Sequence, residues 1–344
     1  MENIVLFGGT FDPIHNGHIQ AINFIKKFFK NCVIYIIPVK KHRWKKPFSS
    51  TKHRLKMIKL ATENMKFVRI SHYEIKSKKN PNYTIDTINY FTKKFPKKKI
   101  FFLIGSDIIN EFPFWKKSDE ILKKITLICL KRPGQKYSIP SNYKKNIKFF
   151  KYNTTIKMSS DMVRNLQKLD LPEKVLEYIT KKRLYFIKKV KKYYTAKRLK
   201  HALNVALLAM KIAKKNKIKN YKKCYIAGLL HDITKKMPLK QQREIIYKID
   251  KKNINIHKNL YHQLTGAYIV KKDFNINDKV IIDAIKFHTT GKKNFSPVGK
   301  ILFIADKLDP SRNIKNLKIM LNNSYKNYNN IYLSLLKKIS KLNF

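Results

Sequence analysis

The sequence predicts an α/β doubly wound parallel sheet followed by an all-α domain, and three observations carry that expectation. Short apolar runs at Ile4–Phe7, Val33–Ile37, Phe67–Ile70, Ile100–Ile104 and Ile125–Leu130 read as buried strands. Helical patterns near Gly17–Phe29, Thr51–Glu63, Thr84–Phe95 and Ser118–Lys124 separate them, and alternation at this spacing builds βαβ units. After about residue 186 the strand signals stop, and apolar residues recur at helical spacing over Ala196–Lys215, Tyr221–Asp232, Leu239–Ile249, Leu260–Lys272, Asn277–His288, Val298–Leu308 and near Asn327–Lys341. A chain of 344 residues is long for one core, so two domains are expected, residues 1–186 and 187–344.

The first strand runs into Gly8-Gly9-Thr10-Phe11-Asp12-Pro13-Ile14-His15-Asn16-Gly17-His18. Two glycines at a strand's end let the backbone approach a ligand, because no Cβ intervenes. His15 and His18 are three residues apart where a helix should start, so both rings face one side. Backbone N–H groups and the dipole at such a start favour an anion, here a polyphosphate. In an open parallel sheet the ligand lies beyond the carboxyl ends of the strands, where this motif falls.

His15-Asn16-Gly17-His18 within Gly-Gly-Thr-Phe-Asp-Pro resembles the HxGH signature of Rossmann-like nucleotidyltransferases, in the wording of bacterial nicotinate mononucleotide adenylyltransferases. The sister phosphopantetheine adenylyltransferases usually carry Thr where His15 stands. The resemblance covers about residues 1–186 and implies adenylyl transfer from ATP to nicotinate mononucleotide, giving deamido-NAD and pyrophosphate. His15 and His18 are then catalytic, Gly8, Gly9, Thr10 and Phe11 line the nucleotide site, and Mg²⁺ accompanies ATP. Pro38 to Lys46, with Arg54 and Met57, is similar to the family's lysine-bearing loop, so that Lys46 or Lys45 contacts phosphate.

Further along, Asn82-Tyr83-Thr84-Ile85-Asp86-Thr87 looks like the family's Tyr-Thr-x-Asp-Thr segment, which puts Thr84 beside the mononucleotide; Thr84 also suits a helix N-cap. Gly105 and Asp107 resemble the turn near the ATP ribose, Trp115 the aromatic that stacks on the nicotinate ring, and Lys131-Arg132-Pro133-Gly134 a further binding turn that contributes Arg132. Met158-Ser159-Ser160-Asp161-Met162-Val163-Arg164 is similar to Ile-Ser-Ser-Thr-x-Ile-Arg, in which Ser159, Ser160 and Arg164 grip ATP phosphates. Asp161 departs from that pattern, and an acid at a phosphate-binding helix start adds local repulsion.

The helical half carries His201, the pair His231-Asp232, His262, His288 and Asp306. His201 lies on an apolar stripe with Val205, Leu208 and Ile212, while His231-Asp232 and Asp306 each end an apolar helical run. Burying a carboxylate costs several kcal/mol unless it is paired or metal-bound, so these donors suggest an N/O metal site, with enough groups for two ions. They resemble the HD-type metal-dependent phosphohydrolases. Leu260–Ala267, His288-Thr289-Thr290-Gly291 and Ala305–Arg312 are closest in wording to the bacterial symmetrical diadenosine tetraphosphate hydrolases. That resemblance covers about residues 192–315 and implies a pair of iron ions. His201, His231, Asp232 and Asp306 hold one, and His262 and His288 join Asp232 around the second. It also implies cleavage of diadenosine tetraphosphate to two ADP, with Asp232 catalytic and Lys307, Asp309 and Arg312 near the substrate phosphates. The HD pattern alone also admits other nucleotide phosphate esters.

Composition limits the remaining classes. A net charge of +56 invites a rival reading as a basic RNA-binding protein on an enzyme scaffold. Yet the lysines run from end to end, and Lys prevails over Arg, the residue suited to bidentate recognition. Abundant Lys, Asn, Ile, Tyr and Phe fit drift in an AT-rich genome, so no specific nucleic-acid partner is expected. No apolar run reaches the ~18 residues of a membrane span, and Cys32, Cys129 and Cys224 show no paired spacing. The expectation is a cytoplasmic enzyme with no membrane partner; the oligomeric state stays open.

Overall fold

The computed structural model of the chain describes residues 2–40, 47–79, 81–131, 138–139, 141–152, 158–249, 255–312 and 314–340. Two compact units divide it, one of residues 1–164 and 170–185, the other of 165–169 and 186–344.

The first unit is built on a parallel sheet of six strands, β1 (Asn3–Gly9), β2 (Cys32–Pro38), β3 (Val68–Ile70), β4 (Ile100–Gly105), β5 (Thr126–Lys131) and β6 (Ile147–Lys151), in the order β3-β2-β1-β4-β5-β6. Ile4, Val5 and Leu6 of β1 and all of Ile100–Ile104 in β4 are buried, because helices cover both faces of such a sheet. The helix Asn16–Phe28 buries Ala21, Ile22 and Ile25. Each such isoleucine contributes roughly 2–3 kcal/mol, so an acidic residue at position 22 would detach the helix. The order in which parallel strands are added reverses at β1 and β4, β2 and β3 lying to one side and β5 and β6 to the other. In such a sheet the crevice for a ligand lies beyond the carboxyl ends of those two strands.

One strand was not expected from the sequence. In β6 two lysines interrupt the hydrophobic residues; Ile147 is buried while Lys148 and Lys151 are exposed. As an edge strand it needs only one partner, β5, and so lacks the continuous apolar run of the central strands. The helix Glu173–Lys182, also unanticipated, closes this unit by burying Val175, Leu176 and Ile179.

The second unit is helical. Its spine is Ala196–Lys215, capped at the N-terminus by Thr195, whose hydroxyl accepts from Arg198 N at 3.3 Å. The Tyr221–Leu230 helix packs on it at Gly228, where an added Cβ would lie 2.8 Å from Ala206 Cα. Only a residue without a side chain allows that approach. Tyr261–Phe274, Lys279–Lys286 and Pro297–Lys307 complete the core, and Leu317–Lys326 and Tyr328–Ser340 follow. Two helices stop short of the sequence expectation. Tyr221–Leu230 ends just before His231, and Lys279–Lys286 ends two residues before His288, so His231, Asp232 and His288 stand in the turns beyond helix C-termini.

Candidate functional sites

In the first unit the turn after β1 folds back on itself. Phe11 takes a positive φ of 49°, and its ring lies where a Cβ on Gly9 would sit, 3.0 Å from Cζ. The rings of His15 and His18 lie against each other, centroids 3.7 Å apart and planes tilted by 30°. Backbone N–H of His15 donates to His18 Nδ1 at 3.1 Å, so in the neutral His18 ring the hydrogen resides on Nε2. Gly17 makes room for this pair: a Cβ there would meet His15 Nδ1 at 3.0 Å and Met158 Cβ at 3.7 Å.

A buried carboxylate ties this turn to the rest of the unit. Asp12 accepts from Phe48 N (2.6 Å), Ser49 N (3.3 Å), Ser49 Oγ (2.6 Å) and Tyr185 OH (2.6 Å). Burial, and then the neighbouring Asp12, push the Tyr185 phenol well up. Arg54, fully buried, donates to Thr10 O at 2.8 Å and Val39 O at 2.9 Å. Sequence reasoning assigned no role to Asp12, Ser49 or Tyr185. Asp12 and Ser49 are 37 residues apart in sequence, Asp12 and Tyr185 173 apart, and no local spacing links them.

The Met158–Arg164 segment docks on the same turn. Ser160 Oγ donates to Pro13 O at 2.9 Å, Ser159 Oγ accepts from Met162 N at 3.2 Å, and Arg164 donates to Asp12 O. Asp161, expected to repel phosphate, instead pairs with Arg164, its side chain otherwise exposed. On the other side of the crevice, a Cβ on Gly8 would lie 3.2 Å from Phe102 Cζ, and Trp115 meets Phe102 edge-on at 6.1 Å. Lys116 Nζ stands 4.3 Å over the Tyr83 ring, which joins the Trp115 segment to the start of the Thr84–Lys94 helix. Tyr83, not Thr84, occupies the N-cap; Asp86 supplies the cap by accepting from Tyr83 N at 3.1 Å. Gly105 ends β4 opposite Leu130, and Ser106 N donates to Leu130 O at 3.0 Å, leaving Asp107 exposed beyond it. Lys45, Lys46, Arg132, Pro133 and Gly134 lie outside the described residues.

In the second unit the histidines and aspartates named from the sequence converge. The ring centroids of His201 and His231 are 5.2 Å apart, those of His231 and His288 5.0 Å, and those of His262 and His288 5.0 Å. Asp232 stands between two groups. Its Oδ2 faces His231 Nε2 at 3.8 Å, and its Oδ1 faces His262 Nε2 at 3.4 Å and His288 Nε2 at 3.6 Å. Asp306 Oδ1 lies 3.2 Å from His201 Nε2 and 3.6 Å from His231 Nε2. The sets His201, His231, Asp232 and Asp232, His262, His288 each bring one ligand-type atom per residue within 4.8 Å of the others.

The outer ring nitrogens explain the orientation. His231 Nδ1 donates to Gly228 O at 2.8 Å, His288 Nδ1 donates to Ile285 O at 2.7 Å, and His201 Nδ1 lies 2.5 Å from Asp309 Oδ2. With Nδ1 engaged, each Nε2 turns inward, the arrangement that holds a ligating imidazole in one tautomer. Asp309 is fully buried beneath His201 and also bonded by Asn204 and Ser311, so it stands behind a ring rather than near the expected substrate phosphates. Burial, and then His288, push the His262 imidazolium down to about 3, and burial likewise lowers His288. Burial raises the Asp232 carboxyl, but His231, His288 and His262 outweigh it and hold it well below the carboxylate range. Asp306 is lowered likewise: burial opposes, and Lys307, His201 and His231 prevail.

Cations ring the two carboxylates. Arg198 donates to Asp232 Oδ2 at 3.1 Å, Arg312 donates to Asp306 Oδ1 at 2.8 Å, and Lys307 Nζ lies 3.2 Å from Asp306 Oδ2. Lys235 Nζ, lowered by burial, is 3.1 Å from His262 Nδ1. Sequence reasoning missed Arg198 and Lys235. Each sits three residues from a named donor, but two among 77 basic residues carry no signal of their own.

Comparison with known proteins decides the family. Residues 6–166 match the cytidylyltransferase-like model and residues 198–311 the HD domain model. Over 312 residues, 90% of this chain and 88% of the relative, the sequence is 33% identical to the Mycoplasma genitalium protein named "Probable nicotinate-nucleotide adenylyltransferase/Ap4A hydrolase". The chain belongs to this two-domain family. The nicotinate-nucleotide adenylyltransferase of Bacillus subtilis matches the first half alone, 32% identical over 54% of this chain and 99% of its own length. An HD superfamily hydrolase structure from Clostridium acetobutylicum is 31% identical over 45% of this chain and 85% of that one, with a TM-score of 0.41.

Membership of the adenylyltransferase/Ap4A hydrolase family makes the chain an enzyme with a nucleotidyltransferase half and an HD half, and an HD domain binds divalent metal. The donor set fits such ions. Among the described residues His231 Nε2 is buried with no hydrogen-bond partner, aimed between two carboxylates, and imidazole nitrogens with aspartate oxygens are the N/O ligands borderline cations take. No helix among the described residues is long and apolar enough to cross a membrane.

Proposed function

We propose that this chain makes deamido-NAD in its first unit and splits diadenosine tetraphosphate symmetrically in its second, in the cytoplasm. The observation that carries the first reading is the close His15–His18 ring pair in the turn after β1, a turn onto whose Asp12 and Pro13 carbonyls Arg164 and Ser160 are hydrogen-bonded. A phosphate oxygen of nicotinate mononucleotide attacks the α-phosphorus of ATP in line; one P–O bond forms, another breaks, and pyrophosphate leaves. His18 Nε2–H and His15 donate to oxygens on which charge accumulates, and no covalent intermediate is needed. Gly8, Gly9, Thr10 and Phe11 shape the phosphate turn, Ser159, Ser160 and Arg164 hold the ATP phosphates, and Gly105 and Asp107 lie by the ribose. Thr84 and Trp115 take the nicotinate end. Lys46 and Arg132 belong to the same proposal by motif alone. Mg²⁺ enters with ATP, held mostly by phosphate oxygens and water.

For the second unit the carrying observation is Asp232, shared between the two donor groups. His201, His231, Asp232 and Asp306 would hold one ion, and Asp232, His262 and His288 a second, both proposed as iron. Ions bound there supply Lewis acidity toward phosphoryl oxygens and hydroxide at neutral pH. Arg198, Lys235, Lys307 and Arg312 neutralise the phosphate chain as its central P–O bond breaks. The water oxygen joins phosphorus, its proton goes to the departing phosphate, and two ADP result.

A product assay on the full-length protein tests both readings. With ATP and nicotinate mononucleotide it should yield deamido-NAD, and with Fe²⁺ and diadenosine tetraphosphate it should yield ADP alone. Formation of AMP plus ATP refutes the symmetrical reaction. Turnover of nucleotide monophosphates without that of the tetraphosphate would assign the HD half to another phosphate ester.

A further inference from the structure

The segment that carries His288 ends in an anchor on a distant helix. Beyond Lys286 the chain runs through Phe287-His288-Thr289-Thr290 and turns at Gly291, whose φ is +68°. Gly291 N donates to Phe287 O at 2.8 Å, which closes the loop. At the next residue, Lys292 N donates to Tyr332 OH at 3.0 Å while the same hydroxyl donates to Lys292 O at 2.8 Å. One phenol therefore fixes both main-chain polar groups of a single residue. Tyr332 is fully buried, edge-on to Phe303 at 5.2 Å, so the hydroxyl has little freedom to follow a moving loop. A Cβ on Gly291 would lie 2.9 Å from Tyr332 OH and 2.7 Å from Leu336 Cδ1, so the loop and the Tyr328–Ser340 helix are in close contact.

The anchored loop reaches directly into the donor cluster. His288 Nε2 is 3.2 Å from His262 Nε2, and Thr289 Oγ1 is 3.3 Å from each of those two nitrogens. Thr289 N donates to Gln263 Oε1 at 3.3 Å, from the helix that carries His262. We infer that Tyr332 is a positioning residue for the Asp232–His262–His288 cluster, and that the Tyr328–Ser340 helix, beyond the matched HD region, is part of the hydrolase site. The inference rests on the reading that this cluster holds an ion. A ligand displaced by a fraction of an ångström loses affinity at its own ion and not at the neighbouring one, because His201, His231 and Asp306 come from other elements.

Titration of the nucleotide-free, full-length protein with Mn²⁺, followed by electron paramagnetic resonance, measures this without turnover. The wild type should show two binding events. Tyr332→Phe keeps the ring and removes the hydroxyl; it should weaken one event about tenfold and leave the other within twofold. His288→Ala should abolish that same event. Leu336→Ala, which removes packing from the same helix without touching Lys292, should lower the melting temperature with no split between the two affinities. Equal affinities in Tyr332→Phe and wild type, or an equal loss at both sites, overturn the inference. Unchanged Mn²⁺ binding in His288→Ala would instead sink the underlying metal reading.

Discussion

The two candidate sites are assembled in opposite ways. In the first unit the named residues gather at strand ends and at the turns and helix starts that follow them, and the buried Asp12 carboxylate there is satisfied within the same unit by Phe48, Ser49 and Tyr185. In the second unit the donors stand on or just beyond helices, all buried but for the half-buried His201, with carboxylates faced by histidines and cations. A loop site on a sheet leaves room for a large ligand that brings its own charge. A site of converging helices concentrates charge in the protein itself, so its geometry depends on how closely the helices pack.

Asp232→Ala should break the comparison most visibly. It removes the one carboxylate shared by both donor groups, and we expect tetraphosphate hydrolysis to fall on the order of a thousandfold or more while deamido-NAD synthesis is unchanged. Steady-state release of ADP and of deamido-NAD from one preparation measures both. His18→Ala is the mirror experiment, expected to cost roughly a hundredfold in the transferase alone. A variant at either position that lowers both rates would refute the separation of the sites.

How legible each site was in the sequence follows from the same contrast. The central strands could be read because burial on two faces demands continuous apolar runs such as Ile100–Ile104, whereas the edge strand β6 could not, with lysines between its hydrophobic residues. Gly8 to His18 announces itself because the residues that shape one turn are contiguous. Asp12's partners are dispersed, and only the fold brings Tyr185 to it. The helical donors were legible as chemistry, since a His-Asp pair ending an apolar run is costly without a partner. Their surroundings were not: Asp309 under His201, and Lys235 beside His262, depend on helix packing that periodicity does not specify. Asp161 shows the limit from the other side, because a charge expected to repel phosphate is paired with Arg164.

A pH experiment sharpens the picture of the first unit. Glu74 is buried, accepting from Thr87 Oγ1 at 2.7 Å, and Thr87 in turn accepts from Asn82 Nδ2 at 3.2 Å, so this carboxyl supports the segment that bears Thr84. Burial pushes it up to about 7, the Thr87 hydrogen bond opposes, and Asp86 adds to the rise. A carboxyl raised in the folded state favours the protonated fold. Its contribution is fully present below the unfolded value near 4.5 and is lost as pH rises through about 7. Stability of the first unit should therefore fall between pH 5 and pH 9 by up to roughly 3 kcal/mol more in the wild type than in Glu74→Gln. Urea unfolding at a series of pH values reads the difference, and parallel curves for the two proteins would contradict the assignment.

The smallest effect probes the packing on which the helical site depends. Gly228 is a point of close approach between the helix that carries His201 and the helix that ends just before His231; an added Cβ would lie 2.8 Å from Ala206 Cα and 2.9 Å from Ala206 N. These are backbone atoms, so neither can swing aside, and Gly228→Ala must push the helices apart. The strain should cost about 1–3 kcal/mol, and alanine's better helix propensity recovers less than 1 kcal/mol of it. Because Gly228 O also accepts from His231 Nδ1, the displacement passes directly to a donor ring. Gly228→Ala is therefore expected to lower the melting temperature of the second unit by several degrees and to reduce tetraphosphate hydrolysis more than the melting shift alone explains. Deamido-NAD synthesis should be unaffected. Hydrolysis that survives unchanged in a measurably destabilised Gly228→Ala protein would mean that the donors are held by their own turns, as loop residues are in the first unit, and the contrast between the two sites would collapse.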